Sequence, residues 1–253
     1  MHENLEFIPV KTIKMLYDFN ENVRMQPVGK VFTTEEVMGD SKSAASANRL
    51  LSIMVDAGVL RRAGRGRYYK PEESEFGEIP VDTRELVKDL LVRDGSPIAY
   101  ISGLNAMNEL GLTTQVPADI TIACMNEKKS IVRGHVRIRF VKQANTITRG
   151  NIPLLRILDC LRFIKNIPDS DVNGAFSKLL KLIGELTDAQ RVQMVRLASR
   201  YTPQVRALVG AIMEQYYPEV DVEKLRKMQN GLTTYKLGIS EELLLNQSKW
   251  RIK

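Results

Sequence analysis

This sequence of 253 residues is poor in the residue types that most enzymes use for catalysis. It contains two histidines, His2 and His135, and two cysteines, Cys124 and Cys160. Neither histidine has a neighbour at metal-ligand spacing, so the sequence predicts no zinc or haem site and no Cys-His nucleophile. It also lacks a Walker A loop, a G-x-S-x-G elbow and a G-x-G-x-x-G turn. We therefore expect no catalytic residues, no metal, no cofactor and no enzymatic activity.

Long apolar runs and an N-terminal signal are also missing. No apolar stretch reaches the roughly eighteen residues that a transmembrane helix needs. The first residues, MHENLEFIPV, lack a basic segment followed by an apolar core. The two cysteines are widely separated and lie in apolar surroundings, a pattern typical of free, buried thiols in a reducing compartment. Together these absences predict a cytoplasmic protein with no membrane partner.

Positive charge is in excess, and it is concentrated in two segments. The formal net charge of the chain is +7. Residues 41–70 contain seven Lys or Arg and one acid, and residues 128–156 contain eight Lys or Arg and no acid. These two segments together carry +14, which leaves −7 on the remainder. Such concentrated charge favours a polyanionic partner.

Residues 33–57 have the pattern of two consecutive helices. Thr33 and Glu36 form a T-x-x-E capping box, which predicts a short helix from Thr33 to about Gly39. A second helix is predicted over residues 41–57, because its apolar residues recur every three or four positions. The opposite face of this helix carries small polar and cationic side chains. A helix that enters the DNA major groove needs side chains of this kind.

An arginine-rich hairpin is predicted over residues 60–70, where Gly64 and Gly66 permit a tight turn. The order helix, helix, hairpin is typical of a winged helix-turn-helix. A run of charge is usually only a solvated face, but here it coincides with this order and so favours binding to double-stranded DNA. The predicted DNA-binding residues are Lys42, Ser43, Ser46, Asn48, Arg49, Arg62, Arg65, Arg67 and Tyr68. Of these, Asn48 and Arg49 are expected on bases, and Lys42, Arg62, Arg65 and Arg67 on phosphates.

The composition after this segment predicts a second domain. Residues 72–80 are acidic and contain Gly and Pro, which is typical of a linker. We therefore predict an α+β protein with a winged helix-turn-helix domain at residues 1–72 and a second domain at residues 80–253. Within the second domain, residues 80–150 are predicted to be mixed α/β and residues 151–253 to form a helical bundle. Thr187 and Gln190 supply another capping box there.

Residues 132–142 are predicted to form a strand, with Val136, Ile138 and Phe140 on one face. The basic residues of this segment have two interpretations, a solvated strand face or a surface for nucleic acid or an acidic partner. The sequence leaves both open. The residues concerned are Arg133, Arg137, Arg139 and Lys142.

Three strings outside the hairpin resemble the AbiEi-type antitoxin family of type IV toxin–antitoxin systems. They are YISGLNA at residues 100–106, GLTTQVP at residues 111–117 and YTPQVRALVGA at residues 201–211. The resemblance implies a winged helix that represses the protein's own operon. It also implies a C-terminal domain that counters a nucleotidyltransferase-like toxin, with or without direct contact. Under this resemblance the recognition helix is residues 41–57 and the wing is residues 60–70.

Two alternatives to the antitoxin hypothesis follow from the same residues. The first is a winged-helix regulator whose C-terminal domain senses a ligand or a partner and has no toxin. The second is a degenerate nucleotidyltransferase, since Gly95-Ser96 precedes a helix and Asp119 opens a strand. Nucleotidyltransferases need paired carboxylates to hold two metals. Thr121 occupies the second carboxylate position, so a structural role for Gly95-Ser96 and Asp119 is favoured.

Overall fold

The computed structural model describes residues 10–39 and 43–253, and it gives side chains from residue 17 onward. These residues form a mixed α and β structure with ten α-helices and four small sheets. The chain divides into two compact units. The first consists of Met1–Lys88 with Val132–His135, and the second consists of Asp89–Ile131 with Val136–Lys253. Within the described ranges, no helix has both the length and the apolar character needed to cross a bilayer.

The first unit combines short helices with two antiparallel sheets. Its three-stranded sheet has the order β1 (Phe32–Thr33), β3 (Arg67–Tyr69), β2 (Arg61–Gly64), and β4 (Glu72–Ser74) and β5 (Gly77–Ile79) form a separate hairpin. The predicted capping box is confirmed, because Thr33 Oγ1 accepts from the Glu36 amide at 3.3 Å and Glu36 Oε2 accepts from the Thr33 amide at 2.6 Å. The elements are α1 (Val10–Met25), β1 (Phe32–Thr33), α2 (Thr34–Met38), α3 (Ala44–Asp56), β2 (Arg61–Gly64), β3 (Arg67–Tyr69), β4 (Glu72–Ser74), β5 (Gly77–Ile79) and α4 (Thr83–Leu91), whose last turn lies in the second unit.

The core of the first unit lies between α3 and the three-stranded sheet. Ala47 and Leu51 of α3 are fully buried, as the helical period predicts, and they pack with Phe32 and Tyr68 of the sheet. Helix α3 begins later than predicted, with Ser43 as its N-cap, and Gly58 follows it with φ of 77°. In α1, Phe19 is buried, whereas Tyr17 is 66% exposed.

The segment predicted as a linker is a hairpin. Glu72 pairs with Ile79 and Ser74 pairs with Gly77, so residues 72–79 have regular antiparallel structure. Arg61 of β2 donates from Nε to Glu78 Oε2 at 2.9 Å, which ties this hairpin to the three-stranded sheet. An acidic composition with Gly and Pro does not distinguish a linker from a short hairpin whose acids pair with arginines.

Residues 92–142 form a β-rich segment that the sequence predicted only in part. Asp94 and Gly95 both have positive φ and form the two-residue turn between β6 and β7. The predicted strand at residues 132–142 is instead a hairpin, since Gly134 has a φ of 56° and separates two strands. The elements are β6 (Val92–Arg93), β7 (Ser96–Pro97), β8 (Ala99–Ser102), α5 (Gly103–Glu109), β9 (Ile120–Cys124), β10 (Ile131–Arg133) and β11 (Val136–Lys142); the larger sheet has the order β10-β11-β9-β8.

Residues 152–227 are largely helical, whereas residues 228–253 are mostly irregular; together they supply most of the core of the second unit. The capping box of Thr187 and Gln190 is present at the start of α8. The two cysteines are free and buried, as predicted. The helices are α6 (Ile152–Arg162), α7 (Val172–Gly184), α8 (Asp188–Ala198), α9 (Pro203–Tyr216) and α10 (Glu223–Lys227), with 3₁₀ turns at Ile164–Asn166 and Ser248–Trp250.

The C-terminal segment is fixed to α9 by Trp250, which is fully buried. Its Nε1 donates to Glu214 Oε2 at 2.9 Å, and the Lys249 ammonium donates to Glu214 Oε1 at 2.7 Å. Burial opposes ionisation of Glu214, but these hydrogen bonds and one from Arg226 outweigh it and hold the pKa of Glu214 at about 2. Gly210 lies under the indole ring, where an added Cβ would stand 2.2 Å from two ring carbons.

We predict that Gly210→Ala destabilises the protein by about 1–3 kcal/mol, the usual range for an overpacked core. The matched control is Gly184→Ala on α7, where the new methyl would meet Tyr217 Oη at an ordinary 3.5 Å. This control should be neutral or slightly stabilising, because alanine has the higher helix propensity. Urea unfolding of both variants measures the difference. Equal stability of the two variants would contradict the close packing of Trp250 on α9.

Candidate nucleic-acid interface

A basic groove of about 880 Å³ lies in the first unit, between α2 and α3 on one side and the β2–β3 hairpin on the other. Both sides contribute polar or charged side chains. Three arginines line it against one acid, Glu35, so the groove is net positive. The lining side chains that can contact a ligand are Thr34 and Glu35 of α2, Asn48, Arg49 and Ser52 of α3, and Arg62 and Arg65 of the hairpin.

Helix α3 presents one face to this groove because its opposite face is buried. Ala47 and Leu51 are fixed in the core. Asn48, Arg49 and Ser52 follow at the spacing of one helical turn and therefore share the outward side. The sequence predicted Asn48 and Arg49 as contact residues and omitted Ser52. Ser52 lies four residues after Asn48 and three after Arg49, so the helical period would have included it.

Asn48 is oriented by a hydrogen bond with α2. The Thr34 hydroxyl, which is buried, donates to Asn48 Oδ1 at 2.7 Å. One lone pair of the Asn48 oxygen is therefore engaged, and the Nδ2 amide keeps its N–H donors for the groove. These donors suit acceptors such as guanine N7, guanine O6 or a phosphate oxygen.

Arg62 and Arg65 extend the positive charge along the hairpin. The guanidinium of Arg62 lies over the Tyr68 ring, 5.6 Å from its centroid, and Nη2 approaches Ser52 Oγ at 3.4 Å. Arg65 is exposed at the hairpin tip, beside Gly66, which has a φ of 66°. Tyr68 itself is 2% exposed and packs 6.4 Å from the Phe32 ring. Tyr68 was predicted to contact DNA, but its ring is buried and instead supports the Arg62 guanidinium.

Three other predicted contact residues lie outside the lining of the groove. Ser43 caps α3, since its Oγ accepts from the Ser46 amide at 3.3 Å, and both serines are exposed at the helix start. Arg67 lies on the strand between Gly66 and Tyr68 and donates from Nη1 to the Arg65 carbonyl at 3.2 Å. Lys42 lies outside the described residues. Arg61, adjacent to Arg62, has its charge paired with Glu78.

The basic residues predicted as one surface at residues 133–142 are divided between the two units. Arg133 belongs to the first unit, is only 6% exposed and donates from Nη1 to the Leu86 carbonyl. Its prediction as a surface residue is therefore wrong. Its stem lies 3.5 Å from the position of a Cβ on Gly64, and Gly134 beside it lines the basic groove.

The remaining members of that predicted surface belong to the second unit and are exposed, namely Arg137, Arg139 and Lys142. Strand β11 alternates as predicted, since Ile138 is fully buried between the two arginines. Arg139 forms an ion pair with Asp119, with Nη2 and Oδ2 2.6 Å apart. Asp119 was the carboxylate on which the nucleotidyltransferase alternative depended, and here it neutralises an arginine.

A buried polar cluster around Asp159 of α6 was missed by the sequence analysis. Asp159 Oδ2 accepts from Tyr100 Oη at 2.7 Å and from Ser102 Oγ at 2.6 Å, and Oδ1 accepts from Tyr201 Oη at 2.8 Å. Gln143 Nε2 donates to both tyrosine oxygens. Burial raises the pKa of Asp159, and burial with the nearby carboxyl group raises the pKa of both tyrosines, which remain hydroxyl donors.

No signal in the sequence connects these residues, because they come from four segments that are far apart in the chain. Tyr100 and Ser102 lie in β8, Gln143 follows β11, Asp159 lies in α6, and Tyr201 precedes α9. In the part of the chain with described side chains, no three His, Cys, Asp or Glu residues are grouped so that they could hold a metal ion. The polar cluster has one carboxylate, and its other members are hydroxyl and amide groups.

Comparison with known families gives one match of substantial length. A family model described as "Family of unknown function (DUF6088)" matches residues 18–192, more than half of the chain. The chain belongs to the DUF6088 family. The match includes all of the basic groove and the sheet of the second unit. No curated protein matches this DUF6088 chain.

Among solved structures, the chain is similar to one described as the crystal structure of the RV2827C protein from Mycobacterium tuberculosis. The similarity covers 92% of the DUF6088 chain and 87% of that chain, with a TM-score of 0.54 and 15% sequence identity. At this identity the likeness concerns the fold. It extends over both units, so the mixed α and β arrangement occurs in a second protein with little sequence in common.

Proposed function

We propose that the first unit binds double-stranded DNA as a winged helix-turn-helix and that the protein represses transcription from its own promoter. In this proposal α3 is the recognition helix and the β2–β3 hairpin is the wing. The observation that supports it is the basic groove, where a polar helix face and two hairpin arginines converge on one concavity. The charge of the groove matches the phosphate backbone, and its small side chains on α3 allow close approach to base edges.

The contacts in the groove have different expected roles. Arg49 projects from the middle of the exposed face of α3, where a guanidinium can form two hydrogen bonds with a guanine. Asn48 supplies the N–H donors of its amide, and the hydrogen bond from Thr34 fixes the orientation of that amide. Arg62 and Arg65 lie on the hairpin, and phosphate contacts of this kind give affinity without base preference. The helix therefore carries specificity and the hairpin carries affinity.

We predict opposite signatures for Arg49→Ala and Arg62→Ala. Loss of Arg49 should relax discrimination at one base-pair position by about 1–3 kcal/mol. Loss of Arg62 should weaken binding to all sequences and reduce the slope of log K against log salt by about one. Selection from random duplexes, followed by titration of the selected site at several salt concentrations, measures both quantities.

The control for this experiment is Lys181→Ala, which removes one positive charge from an exposed position on α7 in the second unit. It should change neither the selected sequence nor the salt slope. If Arg49→Ala and Lys181→Ala select the same site with the same discrimination, Arg49 makes no base contact. If no duplex is selected by the unmodified protein, the DNA-binding proposal itself fails.

We also propose that the second unit acts as an antitoxin. The three strings that resemble AbiEi-type antitoxins form β8 and the start of α5, the loop after α5, and the start of α9. They therefore belong to the second unit and are separate from the basic groove. Repression and protection are accordingly assigned to different units, and a variant that loses one should retain the other.

A rescue assay tests this division in the full-length chain. The toxin in this proposal is the protein encoded beside this one. It is expressed in cells together with the unmodified chain, with the groove variant Arg49→Ala/Arg62→Ala, or with the β11 variant Arg137→Glu/Arg139→Glu. The groove variant should still protect the cells. The second variant reverses two exposed charges of β11, and Lys181→Glu is its control. Loss of protection in the groove variant would contradict the assignment of repression and protection to different units. Full protection by the β11 variant would show that Arg137 and Arg139 belong to a solvated face.

We further propose that the protein has no nucleotidyltransferase activity of its own. Two observations support this. Gly95-Ser96 lies at the β6–β7 turn, where it is followed by a strand and not by a helix. Asp119 forms an ion pair with Arg139, and Thr121 stands where a second metal-binding carboxylate is needed.

We predict no transfer of label when the protein is incubated with radiolabelled nucleoside triphosphates, Mg²⁺ and mixed RNA. Asp119→Ala provides the matched variant, because it removes the carboxylate on which the nucleotidyltransferase alternative depends. Metal-dependent labelling by the unmodified protein that disappears in Asp119→Ala would overturn this proposal and restore the enzyme alternative.

A further inference from the structure

A second cavity, of about 560 Å³, lies within the second unit between one face of the larger sheet and helices α5 and α6. We call it the sheet–helix cavity. The strand register explains which side chains reach it: Ser102 pairs with Thr121, and Thr121 pairs with Arg139, so these three form a row on one face. Sites for small molecules usually measure about 300–1,000 Å³, and this cavity falls within that range.

The walls of the sheet–helix cavity are mainly apolar. Leu104 and Met107 of α5 face Val141 of β11, and Phe163 follows α6 at the rim. Phe163 remains 39% exposed although it is a large aromatic side chain. Walls of this kind suit a flat ring, which can bury both faces against aliphatic and aromatic side chains.

The floor of the cavity is polar and preorganised. Ser102, Gln143 and Asp159 are all buried and all line it. Three hydroxyl groups donate to Asp159, which leaves the carboxylate with capacity for about one more donor. Burial raises the pKa of this carboxyl group, and a donor from a ligand would offset the cost of its ionisation. The floor therefore favours a ring with an N–H or amine donor.

Three cations stand around the opening of the cavity. Arg139 is paired with Asp119. Lys142 and Arg162 also line the cavity and form no ion pair among the described residues. Arg162 lies 5.2 Å from the centroid of the Phe163 ring, and its charge also acts on the Asp159 carboxyl group. Two unpaired cations match a phosphate monoester, which carries about −1.5 to −2 charges at neutral pH.

We propose that the sheet–helix cavity binds a mononucleotide, with the base between the apolar walls, its amine or ring N–H on the Asp159 floor, and the phosphate at Lys142 and Arg162. This ligand combines the three properties that the cavity selects, a flat ring, a hydrogen-bond donor and a dianion. The site lies in a different unit from the basic groove, and it assigns to the second unit a ligand that neither repression nor protection requires.

Titration calorimetry of the full-length protein with the four ribonucleoside 5′-monophosphates tests this proposal. At least one should bind saturably, and the matching nucleoside and inorganic phosphate should each bind at least about tenfold more weakly, because each lacks one half of the contacts. Lys142→Gln/Arg162→Gln should weaken the nucleotide at least about tenfold and leave the nucleoside unaffected. Lys165→Gln is the control, because Lys165 is an exposed charge in the 3₁₀ turn just after α6 and does not line the cavity.

Three outcomes would overturn the proposal. One is the absence of saturable binding by all four nucleotides to the folded protein. Another is equal affinity in the Lys142→Gln/Arg162→Gln and Lys165→Gln variants. The third is loss of nucleotide binding in Arg62→Ala, which would locate the nucleotide in the basic groove. Circular dichroism of each variant establishes that a loss of binding does not come from unfolding.

Discussion

The packing of α3 against the three-stranded sheet is the interaction on which the basic groove depends. Ala47 and Leu51 contact a sheet whose inner surface is formed by Phe32 and Tyr68. Once that face of the helix is buried, the helical period fixes Asn48, Arg49 and Ser52 on the outside. Tyr68 contributes both to the core and to the groove, because its ring packs near Phe32 in the core and also supports the Arg62 guanidinium. A groove built in this way is held open by the same contacts that stabilise the fold, so ligand binding requires little reorganisation.

In the second unit, Asp159 has the same importance for the sheet–helix cavity as the packing of α3 has for the basic groove. It accepts hydrogen bonds from β8 through Tyr100 and Ser102, and from the segment before α9 through Tyr201. One buried carboxylate thus joins the sheet, α6 and α9. Such networks stabilise a structure only when nearly every member is satisfied, since an unpaired buried polar group costs about 1–3 kcal/mol. The same network forms the floor of the sheet–helix cavity, so the shape of the cavity is set by groups that cannot move independently.

The sequence predicted local structure well and long-range structure poorly, for physical reasons. Capping boxes such as that of Thr33 and Glu36 depend on residues three positions apart, and the structure has them as predicted. Arg133 was predicted on the surface and is buried, because its partner Leu86 lies 47 positions away. The acidic composition of residues 72–80 predicts a linker, but one of these acids, Glu78, is paired with Arg61. Charge alone cannot tell a solvated side chain from one whose partner is distant in the sequence.

The two candidate sites differ in how far apart their lining residues lie in the sequence. This difference explains why the sequence predicted the basic groove and not the sheet–helix cavity. Apart from Gly134, the lining of the basic groove comes from residues 34–68, so helix period and hairpin pattern were enough to assemble its main contacts. The sheet–helix cavity takes its lining from residues 102–168, and its geometry depends on the parallel register of β9 and β11. A shift of one residue in that register would turn Arg139 and Val141 away from the cavity and Ile138 toward it. The register is set by burial of Ile138 and Ile122 in the core, so the chemistry of the cavity follows from apolar residues on the opposite face of the sheet.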